Sequence, residues 1–101
     1  MLIVAGEIVV EPGRIDGVRG ALRSMEEETR KESGCQAYAF SADINEPERV
    51  RIFERWESMD ALQAHFKTPH MAAFGAALGQ VQPKSMEIKV YEIDREVSLP
   101  R

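Results

Sequence analysis

The sequence predicts an α+β fold: one four-stranded antiparallel sheet and two helices in the order β-α-β-β-α-β, with the second helix broken near Pro69. Three observations lead there. Apolar residues alternate with a period of two in "CQAYAFSAD", "VRIFERW" and "KSMEIKVYEI", and "MLIVAGEIVV" is rich in β-branched residues. Apolar spacings of three and four occupy the stretch between the first two of these four segments. A length of 101 residues leaves room for one sheet and one helical layer.

Each element has its own signal. Residues 1–10 form the first strand, ended by "EPG". In "RIDGVRGALRSMEEETRKE", Ile15, Val18, Leu22 and Met25 fall on one helix face, and Arg19, Arg23, Glu26, Glu27 and Arg30 on the other. Gly17 and Gly20 weaken this helix by about 1 kcal/mol each relative to Ala, a cost that close packing against the sheet would offset. The run "EEETRKE" reads as solvated helix, and Ser33-Gly34 ends it with Gly34 in the left-handed cap position. Strand two puts Tyr38, Phe40 and Ala42 on one face. After the turn "INEPER", strand three puts Val50, Ile52, Glu54 and Trp56 on one face and Arg51, Phe53 and Arg55 on the other.

Ser58 caps the next helix, with Asp60 in its first turn. That helix stops at "KTP", where Thr68 as N-cap and Pro69 as first helical residue start "HMAAFGAAL", which Gly79 ends. A fourth strand closes a single domain over residues 1–95, and residues 96–101 form a C-terminal tail. Right-handed crossovers fold this order into the ferredoxin-like arrangement, with both helices on one sheet face. The other face carries alternate apolar positions. Burying it in a face-to-face homodimer is the expected solution.

Composition narrows the function classes. With 17 acidic and 13 basic side chains the formal charge is −4, and no basic cluster offers a footprint for nucleic acid or an anionic membrane. A single cysteine, Cys35, makes no intrachain disulfide. "MLIVAG" is too short for a signal-peptide core, and no apolar run approaches the ~18 residues of a spanning helix. The expected location is cytoplasmic.

"RIFERWESMDALQAHFKTPH" holds the one tryptophan and both histidines. Together with "GCQAYAFSAD" and the element order, it resembles the antibiotic biosynthesis monooxygenase family of dimeric α+β barrels. The shared features are Gly34-Cys35, Phe53-Glu54-Arg55-Trp56, Asp60-Ala61-Leu62, and the histidines His65 and His70 around a break. The resemblance covers residues 1–95 and implies a homodimer packed through its sheet faces. It also implies oxidoreductase chemistry on a quinol or polycyclic phenol with O2, without a cofactor. Haem-degrading relatives use an Asn on strand one, a Trp where His65 stands, and a His ten residues on, where Gly75 stands; this chain has none of the three. The aromatic monooxygenases place an Asn four residues before the tryptophan, and here that position is Ile52.

His65 is the candidate base or donor and Glu54 its orienter. Trp56, Tyr38, Phe66, His70 and Phe74 are the candidate substrate contacts. A neutral imidazole suits proton abstraction near pH 7, and an internal carboxylate needs a partner or a raised pKa. Each also has a structural reading: His65 bonded to Glu54 fixes the helix–sheet corner, and the aromatic residues are core. No metal site is expected, because His65 and His70 stand five apart rather than at the four-residue spacing of a helical zinc site. The alternatives to the monooxygenase are a non-catalytic ligand-binding or scaffold dimer, or a small-carbonyl isomerase using the same base.

Overall fold

The computed structural model describes residues 1–100. The elements are β1 (Leu2–Val9), α1 (Asp16–Thr29), β2 (Cys35–Ala42), β3 (Arg49–Trp56), α2 (Met59–His65), α3 (Pro69–Val81) and β4 (Ser85–Glu92). The strands form one sheet in the order β2-β3-β1-β4, every pairing antiparallel, which is the expected ferredoxin-like arrangement. The molecule is a slab 19 Å thick, the depth of one sheet under one layer of helices.

The core lies between those layers. Leu2, Val4 and Ile8 of β1, Tyr38 of β2, and Val50, Ile52 and Trp56 of β3 are buried under Val18 and Met25 of α1, Leu62 of α2 and Phe74 of α3. The partners Val4↔Glu54, Ile8↔Val50 and Tyr38↔Glu54 place Glu54 on this internal face. The opposite face carries Ile3, Ala5, Glu7, Arg51, Phe53, Lys89 and Tyr91. Phe53 and Tyr91 are each about half exposed there.

The turn between β2 and β3 is tied by Asp43, whose carboxylate accepts from the backbone of Asn45 and Glu46 and from Arg51. The run expected to be a solvated face of α1 does more than face water. Glu26 accepts from the backbone N–H of Phe40 at 2.8 Å, and Arg30 donates to the carbonyl of Tyr38 at 2.9 Å. These side chains satisfy backbone groups along the free edge of β2, where an unpaired strand would otherwise be open to another chain.

Two local expectations are corrected. Gly17 and Gly20 face open space, so their helix penalty is not offset by close packing on the sheet. Gly79 does not end α3, which runs through Val81 and stops at Gln82, a non-glycine residue in the left-handed region at φ 49°. The close backbone approach belongs instead to Gly6: a Cβ there would lie 2.1 Å from the carbonyl oxygen of Glu87, so a side chain would push β4 off β1. The helical layer stops short of β4. Met86, Ile88 and Val90 pair with Ile8, Gly6 and Val4 on the helix side of the sheet, yet each is about half exposed.

Candidate active site at the strand-to-helix corner

Trp56 ends β3 on the internal face, and the chain turns there into two short helices. Ser58 accepts from the backbone N–H of Ala61 at 3.2 Å and starts α2 as the sequence predicts. Seven residues later α2 ends at His65. Thr68 then joins the helices: its hydroxyl donates to the carbonyl of His65 at 2.7 Å and accepts from the backbone N–H of Met71 at 3.3 Å. With Pro69 at the start of α3, the break lies where the sequence puts it.

Opposite the break stands the turn after α1. Gly34 is left-handed at φ 86°, and a Cβ on it would lie 2.6 Å from that of Ala61. Glycine therefore lets this turn close onto α2. The closure brings Glu32 against the end of α2, where one carboxylate oxygen, Oε2, lies 2.7 Å from Nδ1 of His65 and 2.7 Å from Nε2 of His70. The partner of His65 is thus Glu32, and not Glu54 as the sequence suggests. A carboxylate carries no hydrogen, so both ring nitrogens donate to it, and a neutral His65 keeps Nε2 as its acceptor.

Glu54 has a different partner. It accepts from the indole N–H of Trp56 at 2.8 Å, two residues along the same strand. Burial pushes its pKa up to about 7, helped by the negative charge of Glu32 and opposed by the Trp56 hydrogen bond. Burial also pushes the Tyr38 phenol well above its usual range, with Glu54 adding to the effect. The Cys35 thiol is likewise raised, by burial and then by Glu32 and Glu54, which keeps it protonated and unreactive.

The aromatic candidates divide. His65 sits among rings: Trp56 at 4.9 Å between centroids, Tyr38 at 5.6 Å, Phe66 at 5.7 Å and His70 at 5.9 Å. Trp56 is wholly buried and His65 nearly so, while Phe66 is 58% exposed. Phe74 stands apart from this group and packs on Phe40 at 5.5 Å. Two of the surface concavities among the described residues are well formed. One, of about 220 Å³, lies between α1 and the β2–β3 end, lined by Ile15, Leu22, Glu26 and Phe40 among others. The other, of about 490 Å³, lies on the open sheet face beside Phe53 and Tyr91. Neither is lined by His65, Glu54, Trp56, Tyr38, Phe66, His70 or Phe74.

The residue that sequence reasoning missed is Glu32. It sits in an acid-rich run beyond the helix, and no periodicity marks it. The available signal was its place two residues before a left-handed glycine, where a side chain leaves the helical register. With His65 and His70, Glu32 forms a group whose nitrogen and oxygen atoms lie within 4.8 Å of one another, a donor set that could hold a metal ion. Glu54 is not part of that group. Among the described residues, no helix is long and apolar enough to cross a membrane.

Comparison with known proteins agrees with this architecture. An uncharacterized Synechocystis protein, sll1783, is 34% identical over 92 residues; the match covers 91% of this chain but only 63% of that protein. YgiN of Escherichia coli, named "Probable quinol monooxygenase", is 33% identical, with 77% of this chain and 85% of that protein covered. A crystal structure from Deinococcus radiodurans, named for antibiotic biosynthesis monooxygenases, superposes with a TM-score of 0.91 at 25% identity, covering all of both chains. Rv0793 of Mycobacterium tuberculosis superposes with a TM-score of 0.85 at 26% identity, covering 96% of this chain and 98% of its own. The family model "Antibiotic biosynthesis monooxygenase" matches residues 1–77, and the chain belongs to that family.

Proposed function

We propose that the protein is a monooxygenase that oxidises a quinol or polycyclic phenol with O2 at the His65 corner, without a bound cofactor, and that it works as a homodimer joined through its open sheet faces. The observation that carries this reading is the hydrogen bond from Nδ1 of His65 to Glu32, which leaves Nε2 as an acceptor among the rings of Trp56 and Tyr38. Glu32 takes the orienting role that the sequence suggests for Glu54. Glu54, with its pKa near 7, is placed to hold a proton at neutral pH.

The chemistry follows from the substrate. Removing the phenolic proton gives a phenolate rich enough in electrons to reduce O2. The resulting radical pair joins through a new C–O bond as a hydroperoxide. Loss of water from the hydroperoxide leaves a quinone, so a phenol and O2 give a quinone and one water. The protein supplies a base, a fixed orientation and a dry site. Access requires the corner to open at the break between α2 and α3, where Phe66 is exposed.

Membership of the family and likeness to YgiN support the reaction class. A second reading has its own support: His65 is 1% exposed, which suits a structural pin in a ligand-binding or scaffold protein. Oxygen uptake with a panel of hydroquinones, naphthols and anthrones separates the two. Native protein should exceed the autoxidation rate, and folded His65→Gln should fall by about 100-fold or more. No uptake above autoxidation across the panel favours the pin, and uptake unchanged in the variant removes His65 from the mechanism.

A further inference from the structure

We propose that Glu32, His65 and His70 form a binding site for a divalent first-row transition ion, with zinc or iron(II) as the fit to two imidazoles and one carboxylate. The spacing of the histidines argues against this only on a continuous helix, where residues five apart point about 140° away from each other. The chain breaks between them. α2 ends at His65, Thr68 turns the backbone, and His70 enters the first turn of α3, so the rings return to 5.9 Å between centroids. The third donor comes from a separate element, the turn after α1.

The geometry is close to that of a coordinated ion. Both nitrogens lie 2.7 Å from the same carboxylate oxygen, and all three donors lie within 4.8 Å of one another. An ion bound at about 2.1 Å sets its donors roughly 3.0–3.4 Å apart, so shifts of a few tenths of an ångström to about one ångström suffice. The burial is graded as such a site needs. The His65 side chain is 2% exposed, while Glu32 and His70 are 14% and 18% exposed. The inner ligand is fixed by packing, and the outer side is open to water, which can fill the remaining coordination positions.

Binding has a consequence for the rings. Each imidazole must give its lone pair to the ion from the nitrogen that now donates to Glu32, moving its proton to the other nitrogen. Nε2 of His65 then becomes a donor instead of an acceptor. Resting on the proposed function, this means that a bound ion inhibits proton abstraction.

The test is equilibrium dialysis of tag-free, chelator-treated protein against Zn2+, with Co2+ as a spectroscopic probe. The native chain is expected to take up one Zn2+ at micromolar free ion and to give visible d–d bands with Co2+. His70→Ala, whose ring is at the rim, should stay folded by circular dichroism and bind about 100-fold more weakly. Glu32→Gln should also lose affinity, and Cys35→Ser should bind like the native chain. No saturable binding below about 100 μM, binding unchanged in folded His70→Ala, or binding lost in Cys35→Ser overturns the proposal. Stoichiometry and the Co2+ spectrum need no turnover, so the site is judged apart from the monooxygenase reading.

Discussion

Nδ1 of His65 and Oε2 of Glu32 meet at 2.7 Å across 33 residues of chain, and the bond ties the turn after α1 to the end of α2. His70 reaches the same oxygen from α3. One carboxylate therefore holds three segments that share no backbone ladder. Removing it leaves two ring N–H groups without their acceptor, one of them deep in the core.

Glu32→Ala is accordingly expected to lose about 2–3 kcal/mol in urea unfolding, since hydrogen bonds to charged groups are worth more than neutral ones. Glu32→Gln, which keeps a carbonyl oxygen, should lose roughly half as much. His70→Ala should lose about 1 kcal/mol or less, because its partially exposed ring leaves water able to reach Glu32. Equal losses in Glu32→Ala and a surface control such as Glu27→Ala would show that the bond contributes nothing to the corner.

Glu54 gives a pH prediction whose sign is set by burial. Its folded pKa of about 7 lies above the usual carboxyl value of 4.5, so the folded state holds the proton more tightly than the unfolded one. Stability is unaffected by this group below about pH 4.5, falls as pH rises to 7, and carries the full penalty above that. The shift corresponds to a penalty on the order of 3 kcal/mol. Glu54→Gln keeps an acceptor for the Trp56 indole but carries no charge. It should raise the melting temperature at pH 8 and leave it nearly unchanged at pH 4.5. A variant less stable than the native chain at pH 8 would mean that the carboxylate is better paired than its surroundings indicate.

The sheet, its order and both caps of the broken helix were legible in the sequence because they depend on local signals. Period-two alternation, Ser58 and Thr68 at N-caps, Pro69 and the left-handed Gly34 each act within a few residues. The histidine–carboxylate group was half legible. His65 and His70 stand out by rarity, but Glu32 is one of four acidic residues between 26 and 32 and its partner lies 33 positions on. Glu54 is conspicuous because it interrupts an apolar face. Its actual bond, to a residue two positions along the same strand, competes directly with the expected one. Gly79 does not end α3 for a related reason: a glycine near a helix end is a permitted stop, and the packing of Val81 in the core carries α3 past it.

Thr29 closes α1 with no exposed surface, and its hydroxyl has no hydrogen-bond partner among the described residues. An unpaired buried hydroxyl is destabilising by about 1–3 kcal/mol, and valine has nearly the same shape. Thr29→Val should therefore stabilise the protein by about 1 kcal/mol, since valine and threonine have nearly equal helix propensity. Thr29→Ala should destabilise it, because it removes the methyl group as well. A destabilising Thr29→Val would place an acceptor or a bound water beside that hydroxyl.

The open sheet face bears on assembly. Phe53 and Tyr91 are 46% and 49% exposed there, in a slab with helices on one side only. Several charges on the same face are matched within the sheet, Glu7 with Arg49 and Arg51, Arg51 with Asp43 and Lys89 with Glu87, while the Nε of Arg55 has no hydrogen-bond partner among the described residues. Covering the face buries the apolar rings of Phe53 and Tyr91 beside charges that are mostly paired, which favours association where a partner also satisfies Arg55. Sedimentation velocity at micromolar concentration should show a particle of twice the 11.4 kDa chain mass. Phe53→Glu puts an unmatched charge at the centre of the face and should shift the population to monomer with its circular dichroism retained. A native protein that sediments as a stable single chain at that concentration would leave the open face to some other occupant. A Phe53→Glu dimer as tight as the native one would move the interface elsewhere, with the half-exposed row Met86, Ile88 and Val90 on the other side of β4 as the next place to test.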